Sequence, residues 1–263
     1  MFSSENKTKK NQFITDGEIH ISFNMNRITE ILDTTSHRQY PLPDKPWKQY
    51  QQWHDNLFMH WKVPLSALAG FLPKGLIIDT FDEQAWVSMI AFTVKKLRPR
   101  FLPSLPPISN FHEVNFRTYV IKDGIRGIYF LSIEAQKLLP ALLARIFIGL
   151  PYIKSDINRD PGTYRSRNQK RNLQFKASYI VGSPIDTESD LDYWLTERHA
   201  LYQQNGNKLH RLDIHHKPWP LQHLKISAQI TGYPLIGNPV AVTPNIVHYA
   251  QRIEVLVWGR QTT

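Results

Sequence analysis

Apolar and polar positions alternate with a period of two along much of this chain, the signature of half-buried strands. The alternation is clearest in FHEVNFRTYV (Phe111–Val120) and IRGIYFLSIEA (Ile125–Ala135). Asp123-Gly124 lies between them, and Asp-Gly between two alternating runs predicts a hairpin. Strands are also predicted over 47–63, AWVSMIAFTV, TYRSRN, LQFKASYIVG, HALYQQ, KLHRLDIHH, LKISAQITGY and RIEVLVW. LIIDTF and AWVSMIAFTV flank Asp82-Glu83 and predict a second hairpin, and Asn205-Gly206 predicts a further turn. Helices are fewer. NRITEILDTT, PLSALAGFLPKGL with Pro64 in its first turn, an apolar run over about 136–149, and DTESDLDYWLTER with Thr187 and Ser189 as N-cap candidates are predicted helical. PLPDKPW and PRFLPSLPPISN read as extended loops, because proline fixes the backbone and removes a donor. Residues 1–24 are polar with scattered apolar positions and read as a poorly ordered tail, with Met25 as a candidate second start. Neither an internal repeat nor a flexible linker divides 25–263, so the pattern predicts one mainly β domain with a few helices.

Composition narrows the class. With 41% hydrophobic and 21% charged residues the chain can bury a sizeable core, which excludes a disordered protein. The absence of cysteine excludes disulfides, thiolate metal sites and a cysteine nucleophile, and suits a cytoplasmic location. A net charge of +10, clustered in KKLRPR and RSRNQKR, raises nucleic acid as a partner. No reading element accompanies the charge, and basic residues also guard strand edges, so nucleic acid is not favoured. The most apolar run, Leu138 to Ile153, contains Arg145 and falls short of the about 20 residues of a membrane span. The N-terminus lacks the apolar core of a signal peptide. No membrane partner is expected, and an assembly of identical copies stays open.

A two-residue Asp123-Gly124 turn sets a register across the hairpin. Lys122 then faces Ile125, Tyr119 faces Ile128, Arg117 faces Phe130, Asn115 faces Ser132 and Glu113 faces Glu134. One face would carry two carboxylates, an amide, a hydroxyl and a guanidinium, while Val114, Phe116, Thr118, Tyr129, Leu131 and Ile133 make the other face apolar. A sheet with one solvated face is the plain alternative. A like-charge pair is unfavourable on an open surface. Enclosed, Glu113 and Glu134 would become an acid and a base side by side, with Arg117 placed to grip a carboxylate in two bonds. This arrangement implies a small organic acid as ligand and no cofactor.

Other chemistry has less behind it. His215 and His216 are adjacent, so on a strand they point to opposite faces, and no HExxH is present; no metal site is expected. GxSxG, P-loop and GxGxxG patterns are absent. Lys137 and Lys154, which flank the apolar run, are the lysines to weigh as Schiff-base nucleophiles, and the favoured reading of both is as ordinary exposed lysines.

The blocks TSHRQYPLPDKPW, HDNLFMHWKVP, LPKGLIIDTFDEQAWV, FHEVNFRTYV, GIYFLSIEA, ARIFIGLPY, LTERHALY and IHHKPWPLQ together resemble the YqjF-like family of uncharacterised bacterial proteins, in order from about Met25. That family sits in the acetoacetate decarboxylase-like superfamily. The resemblance implies an antiparallel, cone-shaped β-barrel with flanking helices and an internal pocket. Glu113 resembles the strand glutamate that lines the decarboxylase pocket, and Arg38 in SHRQYP is similar to their pocket arginine. Where their Schiff-base lysine follows a Phe-Pro, this chain reads LPYIKSDI, with Tyr152 in the lysine's place and Lys154 two residues on. The resemblance therefore implies glutamate acid/base chemistry by Glu113 and Glu134, with a hydroxyl from Tyr152 and without Schiff-base decarboxylation, or ligand binding or sensing without turnover. Asp82 to Gln84 also departs from the tight Asp-Gly turn of those proteins.

Overall fold

Hydrophobic residues occupy both faces of the central strands, so the sheet is covered on both sides. In the computed structural model, residues 26–137, 150, 152–235 and 243–263 are described. The predicted tail over 1–24 and nearly all of the predicted helix over 136–149 lie outside them.

The chain opens with helix α1 over 26–33. Then come β1 (Gln49–Val63), α2 (Leu65–Leu68), β2 (Ile77–Ile78), β3 (Ala85–Pro99), α3 (Pro106–Ser109), β4 (Phe111–Lys122) and β5 (Ile125–Ala135). Four strands follow: β6 (Tyr152–Lys154), β7 (Asp156–Asp160), β8 (Thr163–Asn168) and β9 (Leu173–Pro184). Next are α4 (Asp190–Thr196), β10 (Ala200–Asn205), β11 (Lys208–His215), β12 (Leu221–Thr231), β13 (Ile246–Val257) and β14 (Gln261–Thr262).

Pairing runs β11-β10-β5-β4-β3-β1-β13, and β13 pairs back onto β11 through Ile214–Val257 and His215–Leu256, which closes a barrel. One joint is parallel, β10 on β5. There Gly127 lies against Ala200; a Cβ at 127 would sit 2.5 Å from the Ala200 carbonyl oxygen, so glycine permits the approach. Past β13 the sheet continues as β12-β9-β8-β7. This wing folds over the outside of the barrel wall.

Two cores result. Inside the barrel, Phe58, Ile90, Phe92, Ile128, Phe130, Leu212 and Trp219 pack together. Between wall and wing, Leu57, Met59, Met89, Val114 and Phe116 meet Ile157, Tyr164 and Phe175. Alternate residues of one strand therefore serve different cores, which explains the apolar runs of β1 and β3. Helix α4, with a capping box between Ser189 and Asp192, places Trp194 and Leu195 in the barrel core. The Tyr119 hydroxyl donates to the Leu195 carbonyl at 3.0 Å.

Three local expectations are corrected. The Asp82-Glu83 turn forms with both residues at positive φ, but only Phe81 and Gln84 bridge across it; β2 pairs with β4 instead of β3. The turn after β10 is Gly206-Asn207, since Asn205 already pairs with Lys208. PLSALAGFLPKGL gives only the four-residue α2 and one 3-10 turn over Ala69–Phe71.

Candidate functional site

Strand β4 builds the site, because its two parities face the two cores. Val114 and Phe116 point outward beneath the wing, so Glu113, Asn115 and Arg117 point into the barrel. Their cross-strand neighbours on β3 are Phe92, Ile90 and Ser88. Trp53, Phe58, Phe130, Tyr152 and Trp219 also line this lumen. The space open to centres of water-sized spheres is ≈ 50 Å³. One water needs about 10–15 Å³ by this measure, so the lumen suits a molecule of a few heavy atoms.

Glu113 is 4% exposed, and burial pushes its carboxyl up to about 7. The Tyr152 hydroxyl donates to its Oε2 at 2.8 Å, and the Asn115 amide also supports it; both bonds oppose the rise. Tyr152 itself is held well above the usual phenol range, first by burial and then by Glu113. It is a donor at neutral pH.

Arg117 is 9% exposed, and burial lowers its pKa. Its electrostatic support comes from Tyr119 and not from a carboxylate. Its Nε and the Oδ1 of Asn115 have no hydrogen-bond partner among the described residues. A buried, unpaired guanidinium is costly unless something anionic joins it.

Below Arg117 lies a polar chain that sequence reasoning missed. Ser88 Oγ lies 2.6 Å from the Tyr119 hydroxyl and 2.6 Å from His60 Nδ1. The His60 and His248 rings meet edge to face at 5.5 Å, and His248 Nε2 lies 2.8 Å from Asp192 Oδ1 on α4. Burial, then His248 and Arg117, hold His60 neutral well below the usual imidazole range. Strand parity was the available signal: Ser88 is directly opposite Arg117 and His60 opposite Ser88.

The expected register holds from Lys122–Ile125 to Arg117–Phe130 and then slips. A bulge beside Leu131 pairs Phe116 with Ser132, Asn115 with Ile133, Val114 with Glu134 and Glu113 with Ala135. Glu134 and Ser132 therefore turn away from the lumen, and the Glu113–Glu134 pair does not form. Glu134 is fully buried between wall and wing. It accepts from Ser155 at 2.5 Å, from Ser166 at 3.2 Å and, through a very short bond, from Tyr233. Arg38 lies apart from the lumen lining, donating to the Ile214 carbonyl at 2.8 Å beside His215. Lys154 is exposed in an outer groove with Arg167, Lys170 and Arg171, and Lys137 Nζ donates to the Pro107 carbonyl. No lysine lines the lumen among the described residues.

The sequence matches the DUF2071 family, described as an uncharacterized conserved protein, over residues 50–254. This chain belongs to the DUF2071 family. The DUF2071 chain is also 41% identical over 225 residues to the uncharacterized protein YqjF of Bacillus subtilis, covering 82% of this chain and 93% of YqjF. The barrel has the acetoacetate decarboxylase-like fold. An acetoacetate decarboxylase from Legionella pneumophila aligns with a TM-score of 0.57 at 14% identity, covering 89% of this chain and 94% of that one. The enduracididine biosynthesis enzyme MppR complexed with pyruvate aligns at 0.55 and 14%, covering 85% and 93%. At such identities the likeness is one of fold. Among the described residues, no helix is long and apolar enough to cross a membrane.

Proposed function

We propose that this DUF2071 protein binds a small carboxylic acid in its lumen, with the acid's carboxylate on Arg117 and its other end beside Glu113 and Tyr152. The observation that carries this reading is a buried guanidinium with an unpartnered Nε on the lumen, in ion-pair contact with no carboxylate among the described residues. Glu113 and Arg117 stand four positions apart on β4, about 13 Å between their Cα atoms with Asn115 midway, so a short acid reaches both only where the two long side chains converge in the lumen. MppR, on the same fold, is complexed with pyruvate, a molecule of this class.

Glu113 is placed for proton transfer. A carboxyl near 7 exchanges a proton at neutral pH with little bias, which is what a general acid or base needs. With the carboxylate anchored at Arg117 and the carbon next to an oxo group brought against Glu113, Glu113 takes the proton, and the single Tyr152 O–H, no longer needed by an ionised Glu113, turns to the oxygen that gains charge. With no lysine in the described lumen, this reading has no imine step. The test follows the α-protons of pyruvate and acetoacetate by proton NMR in D2O. Wild-type protein accelerates their loss above the buffer rate and Glu113→Gln does not. Binding without acceleration would leave a ligand-binding protein with no proton-transfer step.

A further inference from the structure

A second polar cluster lies beside Trp219, just past the end of α4. Glu197, just past α4, is 2% exposed. Its Oε1 accepts from the Trp219 backbone amide at 3.0 Å, which fixes the carboxylate. Its Oε2 has no hydrogen-bond partner among the described residues. Three imidazole nitrogens face that oxygen: His199 Nε2 at 3.5 Å, His37 Nε2 at 3.9 Å and His216 Nδ1 at 4.0 Å. His199 is 1% exposed and neither of its ring nitrogens has a hydrogen-bond partner. His37, Glu197 and His216 offer one donor atom each within 4.8 Å of one another, and so do His37, His199 and His215.

The expectation that His215 and His216 diverge assumed a strand through both. Strand β11 ends at His215, so His216 turns back, and the His37 ring lies 5.7 Å from one and 6.1 Å from the other.

We propose that His37, Glu197, His199 and His216 bind a divalent transition-metal ion of the zinc class. Zinc with nitrogen and oxygen ligands sits about 2.0–2.1 Å from each, which puts tetrahedral ligand atoms about 3.4 Å apart. The His199–Glu197 spacing of 3.5 Å meets this already; the four donor atoms do not all lie within 4.8 Å of one another, so the His37 and His216 nitrogens have to close in by more than their 3.9 and 4.0 Å distances to Glu197 alone require. They now lie 2.7 Å from the His216 and Lys217 carbonyls, bonds that ligation replaces. A cation at this point gives the stranded Glu197 oxygen and His199 nitrogen a partner, which no described side chain supplies. Arg38, a like charge acting on these histidines, is held to one side on the Ile214 carbonyl and His215 Nδ1, and Arg198 is held on Asp79. Nitrogen-rich donor sets select Zn2+, Co2+ and Ni2+ over Mg2+ and Ca2+.

The experiment uses the full chain freed of metal with a chelator and dialysed against Zn2+ or Co2+. One equivalent of zinc should remain by elemental analysis, Co2+ should give visible d–d bands of a four-coordinate site, and the chelator should reverse both while lowering the melting temperature. Glu197→Gln and His199→Ala should each weaken zinc by at least about 10-fold, the loss that even outer partners of metal ligands produce. His210→Ala, on β11 outside the cluster, should leave it unchanged. Wild-type protein that retains no zinc and shows no cobalt bands would overturn the proposal whether or not the variants fold. So would equal zinc affinity in Glu197→Gln.

Discussion

Glu113 and Arg117 share the lumen face of β4 and yet form no ion pair: Glu113 takes its hydrogen bond from Tyr152 at 2.8 Å, and Arg117 is left without a carboxylate. The two groups are held apart with opposite electrostatic problems. The acid is buried and tends to keep its proton. The base is buried and cannot lose its charge.

Glu113 makes stability fall as pH rises. Its folded pKa, about 7, lies above the ordinary 4.5, so between these values the folded chain binds more protons than the unfolded one. The contribution is fully present below about 4.5 and is lost as pH rises through 7. A shift of that size corresponds to on the order of 3 kcal/mol. Glu113→Gln should remove this slope, so urea unfolding across pH 4.5–7.5 should show a smaller decline in the variant than in wild type.

Tyr152→Phe should raise the Glu113 pKa further, because the lost hydrogen bond favours the ionised carboxylate. The carboxylic acid C=O stretch assigned to Glu113, seen by infrared difference spectroscopy, should persist to higher pH. The stability change should be about 1 kcal/mol.

Arg117→Met keeps the bulk and removes the charge. An unpaired buried cation opposes folding, so stability should hold or rise by up to about 3 kcal/mol in urea unfolding. A fall of similar size would mean that the guanidinium supports the fold rather than a ligand.

Glu134 should behave in the opposite way. It gathers hydroxyls from Ser155, Ser166 and Tyr233, joining the barrel wall to the wing. Glu134→Gln should destabilise the chain by about 1–3 kcal/mol while leaving any acid titration of the lumen unchanged.

Much of the barrel could be read from parity. The Asp123-Gly124 hairpin, the polar face of β4 and the strand character of 47–63 follow from alternation and turn chemistry. The bulge at Leu131 could not be read: one extra residue flips every later side chain, and no glycine marks it. That single slip moved Glu134 and Ser132 from the lumen to the outer core. The histidine cluster was hidden for another reason. Glu197, His199 and His216 flank the open end of the β10–β11 hairpin, where Ala200 pairs with Asp213, but His37 comes from a distant segment and Glu197 and His216 lie just outside the strands whose parity could be read.

Binding of a small acid by Arg117 is most directly tested by a thermal-shift panel of two- to five-carbon carboxylic and oxo acids, run on wild type and Arg117→Met side by side. At least one acid should raise the wild-type melting temperature and leave that of Arg117→Met in place. A panel with no effect on wild type, or hits that shift both proteins equally, would contradict the account.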